Sequence, residues 1–443
     1  MEPYLRDASY MEGGKPIAVL IPKNVAEISK ILKVCHENSV PVTVRGGGSS
    51  LTGSSVPIKN GIVLSMEKFN RIIKTEIEDR YIIVEPGIIL DALNRHLYRF
   101  GYFYPPDPAS SSIASVGGTI STNAGGLRAV MYGTTRDWIL DLEVVLPSGD
   151  VIQTGSKTLK LSRGYDLTAL MIGSEGTLGV ITKATLKIWP LPKASGRLTV
   201  YYQSIANAGK AVGELKSNGL PVLIAEFLDE SSMTHAEKEG HIRYPKNAKC
   251  MLIIDVATDK ESLKSTIDST IRILKRSSPI LINATTNAKA MEKMYKIRKE
   301  IYNILVKEAK TMNQQIIIGD IVVPPSQLPG AMFEIERAIK KSGLRVVLFG
   351  HIGDGNIHSN IFADSKNAAF MRRVDRLQVR VGNIALAHEG SVSAEHGIGL
   401  QKKDLLIDEL TKRNSKEAIK LMRQIKSVFD PKNILNPGKI FDV

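Results

Sequence analysis

The sequence predicts an α+β protein of two main parts: a glycine-rich first part mixing helices and strands, then a part ordered strand, helix, two strands, helix, strand. Three observations carry this. The chain has 443 residues, too many for one core and enough for two to four domains. Hydrophobic residues make up 43% and charged residues 23%, the proportions of a globular chain that can bury a sizeable core. The run Trp189-Pro190-Leu191-Pro192 separates two differently patterned stretches and marks a domain boundary at 192.

In the first part, Asn24 followed by Glu27 is a capping-box signal. Ile28, Ile31, Leu32 and Cys35 then recur at helical spacing before the apolar run 41–44, which reads as a strand. Cys35 on that stripe reads as a small core residue. Strands over 81–85, 141–146 and 180–188 alternate with helices such as 88–100. Beyond 192 come strand 197–203, helix 206–217, strands 221–228 and 250–257, helix 260–275 and strand 281–285. That order is a ferredoxin-like layer of two helices on an antiparallel sheet, elaborated by later strands over 315–323 and 345–361 and by long helices.

Composition narrows the function. Two cysteines, Cys35 and Cys250, leave no room for a disulfide framework, a four-Cys zinc site or an iron–sulfur cluster. The first residues lack the basic and apolar regions of a secretory signal, and no stretch approaches the roughly 18 apolar residues of a membrane span. The expectation is a cytoplasmic protein, at most peripheral to the inner face of a membrane. Lys and Arg (59) exceed Asp and Glu (45), giving a net charge of +14 that favours anionic ligands. The basic residues are scattered on polar helix faces (Lys289, Lys293, Lys296, Lys299) without a recognition-helix or RNA-binding motif, so no nucleic-acid partner is expected.

Three segments are rich in glycine and hydroxyl residues. The first holds Arg45, Gly46, Gly47, Gly48, Ser49, Ser50, Gly53 and Ser54. The second holds Gly117, Gly118, Ser121, Thr122, Asn123, Gly125 and Gly126, and the third Glu175, Gly176 and Gly179. Glycines let backbone N–H groups converge on an anion, and hydroxyls add donors. Taken singly each segment reads equally well as a tight turn, but three in one domain point to a long, phosphate-bearing ligand. The first fails G-x-G-x-x-G and no G-x-x-x-x-G-K-S/T occurs, which argues against a Rossmann-bound NAD and a P-loop nucleotide.

These runs, with PPDPAS (105–110), the stretch 132–150 that opens on Tyr132, and GSEGTLGVIT (173–182), resemble FAD-linked oxidases of the vanillyl-alcohol-oxidase type. Within that group the sequence is most similar to the D-lactate dehydrogenase, glycolate oxidase and D-2-hydroxyglutarate dehydrogenase branch, over nearly the whole chain and in order. The resemblance implies a two-part FAD-binding domain of the PCMH type over 1–192. A ferredoxin-like substrate (cap) domain over 193–430 follows, with a helical C-terminal segment whose residues 431–443 return to the flavin. It implies that residues 45–54 wrap the pyrophosphate, while Pro106, Asp107, Tyr132, the second and third glycine segments, Val180, Ile181 and Asn436 contact the rest of FAD. The first loop has no histidine to link the flavin, so FAD is expected to be non-covalent.

In GHIGDGNIHSNI (350–361), Asp354-Gly355 is a favoured centre for a two-residue hairpin turn. Such a turn sets His351 directly opposite His358, with Cβ atoms about 4.5–5.5 Å apart, and puts Asn360 on the same face as His358. Two imidazoles so placed can grip a metal ion; without a partner they only flank an exposed turn. Glu395 in SAEHGIG (393–399) is a candidate partner. Two imidazoles and a carboxylate suit Zn²⁺, Mn²⁺ or Fe²⁺ and leave coordination positions open. The resemblance assigns the same metal set, His351, His358 and Glu395, with His396 as the base beside it.

On the helix over 288–309, Met291, Met294, Ile301 and Leu305 form an apolar stripe with Arg298 at its middle. A buried guanidinium needs an anion: an internal Asp or Glu, or a substrate carboxylate held by the bidentate fork. The resemblance favours Arg298 as the carboxylate clamp and adds Asn360 as a polar contact. His388-Glu389 begins like H-E-x-x-H but ends in Val392, and His36, His96, His235 and His241 lack ligand-spaced neighbours.

The activity implied is FAD-dependent, metal-assisted oxidation of a D-2-hydroxy acid to the 2-oxo acid, with hydride passing to flavin N5. Ile318 and Gly319 stand where relatives often carry charged or polar groups, which favours glycolate or D-lactate over a dicarboxylate. Quinone, cytochrome, a partner subunit or oxygen are the acceptors left open, as is a homodimer. The competing reading is a flavin-free, two-His-one-carboxylate oxygenase or hydrolase with merely structural glycine loops. A nucleic-acid or membrane-surface protein rests on charge alone.

Overall fold

The capping signal at Asn24 starts a helix over Val25–Glu37: the Asn24 side chain accepts the Glu27 N–H at 2.9 Å, and Glu27 reaches back to the Lys23 N–H at 2.7 Å. Ile28, Leu32 and Cys35 are its buried face. The computed structural model describes residues 2–239 and 243–443, so His241 lies outside the described residues. By internal contacts the chain forms two units, Met1–Gly126 with Tyr132–Leu191 and Glu395–Val443, and Leu127–Met131 with Pro192–Ala394.

The first unit has two main sheets. Strands β1 (Ala18–Leu20), β2 (Val42–Arg45) and β3 (Ile62–Ser65) form a parallel sheet in the order β1-β3-β2, with the helix Val25–Glu37 making the crossover that parallel strands require. Strands β4 (Ile72–Glu76), β5 (Tyr81–Val84), β6 (Tyr102–Phe103), β7 (Ile139–Val145), β8 (Val151–Gln153), β9 (Val180–Lys187) and β10 (Trp189–Pro190) follow. They make a five-stranded antiparallel sheet, β4-β5-β9-β7-β8, and a short β10-β6 pair. Val180 and Val145 join the core under the parallel sheet, while Ile181 and Val144 join the core of the antiparallel one, so alternate residues of two strands serve both.

The last helices belong to the first unit. The sequence puts residues up to 430 with the substrate domain, but by contacts the division falls between Ala394 and Glu395. Ile425 and Phe429 of the helix Lys416–Phe429 pack on the first unit's core. Lys426, buried on that helix, pairs with Asp430 and donates to the carbonyls of Thr177 at 2.8 Å and Leu435 at 2.9 Å. A buried ammonium so anchored ties the C-terminal segment to the third glycine segment.

The second unit is one antiparallel sheet. Strands β11 (Ala194–Tyr202), β12 (Val222–Asp229), β13 (Cys250–Thr258) and β14 (Leu281–Thr285), with helices Ile205–Ser217 and Leu263–Leu274, pair in the ferredoxin-like order β14-β11-β13-β12. Strands β15 (Gln315–Val322), β16 (Val346–Gly350) and β17 (Asn356–Ala363) extend the sheet past β12 in the order β16-β17-β15. The helix Glu230–Lys238, capped by Asp229, is absent from the sequence pattern because its buried residues are Ser232, Met233, His235 and Ala236, of which only Met233 is a large apolar side chain. Among the described residues no helix is long and apolar enough to cross a membrane.

Candidate functional site

The three glycine segments meet in the first unit. Gly46 and Gly47 pack so closely on the segment leading to Ser115 that a Cβ would lie 2.2 Å from Ser115 Oγ and 2.0 Å from the Ile113 carbonyl, respectively. The second segment is not a loop throughout: Ser115 accepts the Gly118 N–H at 3.2 Å and caps a helix over Val116–Thr122, which Asn123 ends at φ 51°. Ser121 and Thr122 donate to the carbonyls of Gly117 and Gly118 at 2.8 and 3.2 Å, so their hydroxyls serve that helix. Asn123 accepts from the Thr134 hydroxyl at 3.0 Å and the Arg136 N–H at 2.9 Å. The Glu175 N–H reaches the Ser121 carbonyl at 2.8 Å, joining the second segment to the third. Asn436 then bridges the first and third, its Nδ2 donating to the Ser54 carbonyl at 2.8 Å and the Glu175 carbonyl at 2.6 Å.

Of the other expected flavin contacts, Pro106 and Asp107 are buried, and Gly125 and Gly126 follow the end of the helix Val116–Thr122; a Cβ on Gly126 would strike the Asp107 carbonyl at 2.1 Å. Tyr132 stacks edge-on with Phe103 and Trp138. Gly179 is a packing glycine against Val144, and Gly48, Gly53 and Gly176 take the positive φ of turns. Ser50 accepts the Ser54 hydroxyl at 2.6 Å, and Ser49 is half-buried beside it.

This cradle fits a flavin dinucleotide on its own chemistry. The buried polar atoms without a partner include two from these segments, Nη1 of Arg45, whose guanidinium lies beneath Gly48, and Asn436 Oδ1 at the junction of the segments. A donor on a guanidinium and an acceptor on an amide are groups that phosphate and flavin functions can satisfy.

The segment carrying Glu395 and His396 is fastened to the same cradle. The Glu175 carboxylate accepts the N–H groups of Ile398 at 2.7 Å and Gly399 at 2.9 Å, and Thr52 donates to the His396 carbonyl at 3.2 Å. The side chain of Glu175 is thus occupied by this segment, and burial raises its pKa from 4.5 to about 7. His396 Nε2 lies 3.7 Å from Glu395 Oε1.

The second unit holds the other half of the predicted residues. The hairpin differs from expectation: β16 and β17 pair Phe349 with His358, and His351 stands outside the ladder, capping a 3-10 turn over Ile352–Asp354 that Gly355 closes at φ 92°. The connection is longer than a two-residue turn because a Cβ on Gly355 would strike the Val323 carbonyl at 1.8 Å, so the turn is folded against β15's end. The imidazoles nevertheless meet, with ring centroids 5.2 Å apart and planes at 87°. Their ring nitrogens come within 4.8 Å of each other.

Two carboxylates that sequence reasoning missed stand behind them. His351 Nδ1 lies 2.7 Å from Glu226 Oε1, and His358 Nδ1 lies 3.5 Å from Asp320 Oδ1. Asp320 is fixed by the Asn356 amide at 2.8 Å and the Ala394 N–H at 3.0 Å. At His351 the hydrogen-bonded carboxylate on Nδ1 sets the tautomer that turns the Nε2 lone pair outward, the usual support of a metal-binding imidazole, whereas His358 has Asp320 near Nδ1 without a hydrogen bond between them. A signal was present: Glu226 and Asp320 are each an acidic residue inside an apolar run.

Arg298 is 3% exposed, and the helix Ala288–Thr311 buries Ile297, Ile301, Leu305 and Ala309 around it, with Met291 and Met294 only half-buried. Its Nε lies 2.6 Å from Glu226 Oε2, an ion pair whose N–H is not aimed along the contact, and its Cζ lies 4.6 Å from the centroid of Phe349. The internal acid weighed as its partner is therefore present, yet Nη2 remains buried without a partner among the described residues. Asn360, fully buried, donates from Nδ2 to the Val347 carbonyl at 3.1 Å and leaves Oδ1 unpartnered. Three further histidines are engaged elsewhere, His96 with Thr75, His235 with Ser231 and Glu308, and His388 with Gln327 and Glu334, while His36 lies on the first helix with Nδ1 buried.

Comparison with known proteins gives the family. Over 438 residues the chain is 35% identical to the glycolate oxidase subunit GlcD of Bacillus subtilis, covering 99% of this chain and 92% of that one. It is 36% identical over 425 residues to a D-lactate dehydrogenase of Archaeoglobus fulgidus, covering 95% and 90%. Among solved structures, p-cresol methylhydroxylase shares the fold with a TM-score of 0.79 at 18% identity, covering 100% of this chain and 92% of that one. An FAD binding domain matches residues 16–155, and the C-terminal domain of FAD linked oxidases matches residues 191–440. The chain belongs to the FAD-linked oxidases and is an FAD-dependent oxidoreductase.

Proposed function

We propose that this protein oxidises a small D-2-hydroxy acid, glycolate or D-lactate, to the 2-oxo acid, with FAD held non-covalently and a divalent cation held by His351, His358 and Glu395. One observation carries the reading: His351, which pairs with His358, shares Glu226 with a buried guanidinium that keeps a free N–H. A cation site beside an anion site suits a molecule that presents a hydroxyl oxygen next to a carboxylate. Membership of the FAD-linked oxidases removes support from the flavin-free alternative.

The third cation ligand is argued from the chain itself. Ser393 and Ala394 hydrogen-bond Asp320, the strand partner of His358, and Glu395 is the next residue. Bound FAD would supply the hydride acceptor, and a bound cation would supply Lewis acidity toward the hydroxyl oxygen. Arg298 Nη2 holds the substrate carboxylate, Asn360 offers its free amide oxygen, and a ring nitrogen of His396 takes the hydroxyl proton. Ile318, buried and in register with Asn360, presents no charge to a second carboxylate, which supports a monocarboxylate substrate.

Anaerobic titration of the flavoprotein with D- and L-lactate, glycolate and D-2-hydroxyglutarate tests this directly. Bleaching of the flavin band by glycolate or D-lactate is expected. No bleaching by any of the four would overturn the proposal.

A further inference from the structure

We infer that Glu226 is a positioning residue shared by both halves of the substrate site, so that one cation-binding imidazole, His351, and the carboxylate-binding guanidinium are aligned by one buried carboxylate. The inference rests on the reading of His351, His358 and Arg298 given above, and deepens it.

The geometry is a closed ring of contacts among one sheet, the turn between two of its strands, and one helix. Glu226, 1% exposed on β12, touches His351 Nδ1 at 2.7 Å through Oε1 and Arg298 Nε at 2.6 Å through Oε2. His351 meets His358 edge to face at 5.2 Å, and His358 meets Phe349 edge to face at 5.9 Å. Phe349 in turn lies under the Arg298 guanidinium at 4.6 Å. Every member is buried: His351 and His358 are 4% exposed, Arg298 3% and Phe349 5%. Oε1 is thus hydrogen-bonded to the imidazole, while Oε2 lies in ionic contact with the guanidinium.

The division of labour follows from the donors. An imidazole that gives its Nδ1 hydrogen to a carboxylate must present Nε2 as the lone-pair nitrogen, and is made more basic by the contact. A guanidinium neutralised at its Nε edge keeps a free Nη2 and has only one orientation in which Phe349 can still lie under the plane. Glu226 thus fixes the direction of two groups that must act on neighbouring atoms of one small molecule. Truncating it leaves a buried arginine uncompensated and an imidazole free to turn.

The test uses the FAD-loaded protein and Mn²⁺ as probe, measured by equilibrium dialysis, with oxalate binding followed by perturbation of the flavin spectrum. Glu226→Gln should weaken Mn²⁺ binding about 10–100-fold, the range for loss of an outer-sphere partner of a metal ligand. It should weaken oxalate as well, while flavin content and the thermal midpoint report whether the fold is kept. Arg298→Met should change Mn²⁺ affinity in the native background, and the effects of the two substitutions should be non-additive when combined. A merely structural Glu226 would not produce that coupling between a cation and a guanidinium that do not touch.

Native Mn²⁺ affinity in Glu226→Gln, alongside lost affinity in His358→Ala, overturns the inference alone. Unchanged Mn²⁺ binding in His358→Ala overturns the cation reading and the inference together. If Glu226→Gln does not fold, Glu226→Asp carries the test: it keeps the charge but shortens the reach, and additivity with Arg298→Met would overturn the inference.

Discussion

Arg298 and Glu226 are buried to within a few per cent and lie 2.6 Å apart, though one comes from a helix and the other from a strand. The stripe on the helix says that Arg298 faces inward and needs an anion, but no spacing rule connects it to Glu226. Arg298→Lys keeps the charge and loses the fork, so KM for the hydroxy acid should rise about tenfold or more while flavin content stays native. His396→Ala should slow flavin reduction about 10²–10⁴-fold, read by stopped-flow bleaching, without loss of FAD. Glu175 gives a pH signature. Its folded pKa of about 7 lies above the ordinary 4.5, so its contribution to stability is fully present below about 4.5 and lost as pH rises through 7. Urea midpoints should fall over that window in the native protein, and Glu175→Gln should flatten the fall.

The elements that hold the site were legible to different degrees. Helix Val25–Glu37 and the ferredoxin-like order could be read because periodicity reports which face is buried, and burial is what forms them. The turn between β16 and β17 could not be read in detail. Asp354-Gly355 has the residues of a tight hairpin, yet Gly355 is pressed on the Val323 carbonyl, so a partner strand distant in sequence sets the length of the connection. Because the observed pairing differs from the expected one by two residues along one strand, His358 keeps its face, and the imidazole pair survives the error. Gly355→Ala should strain this turn by about 1–3 kcal/mol and lower Mn²⁺ uptake with it, checked by urea unfolding and dialysis of the same variant.

At the level of the whole molecule, the chain leaves the first unit at 191 and re-enters it at 395. The C-terminal residues then close on the glycine segments through Asn436, behind the buried Lys426. Ending the chain after residue 430 should therefore strip FAD and lower the thermal midpoint, although no glycine segment is touched, as measured by flavin content and a melting curve. A truncated protein that retained stoichiometric FAD would contradict this role.

The sequence by itself determined what depends on neighbours along the chain: the helices and strands, the glycine segments, the inward-facing arginine and the candidate donors His351, His358 and Glu395. Tertiary structure alone decided what depends on which strand lies beside which. Glu226 behind His351, Asp320 behind His358, Glu175 on the Ile398 and Gly399 amides, and Asn436 between Ser54 and Glu175 are all pairings across long stretches of sequence. The physical reason is that a buried charge must find its counterpart wherever packing puts one, whereas periodicity reports only that the charge is buried.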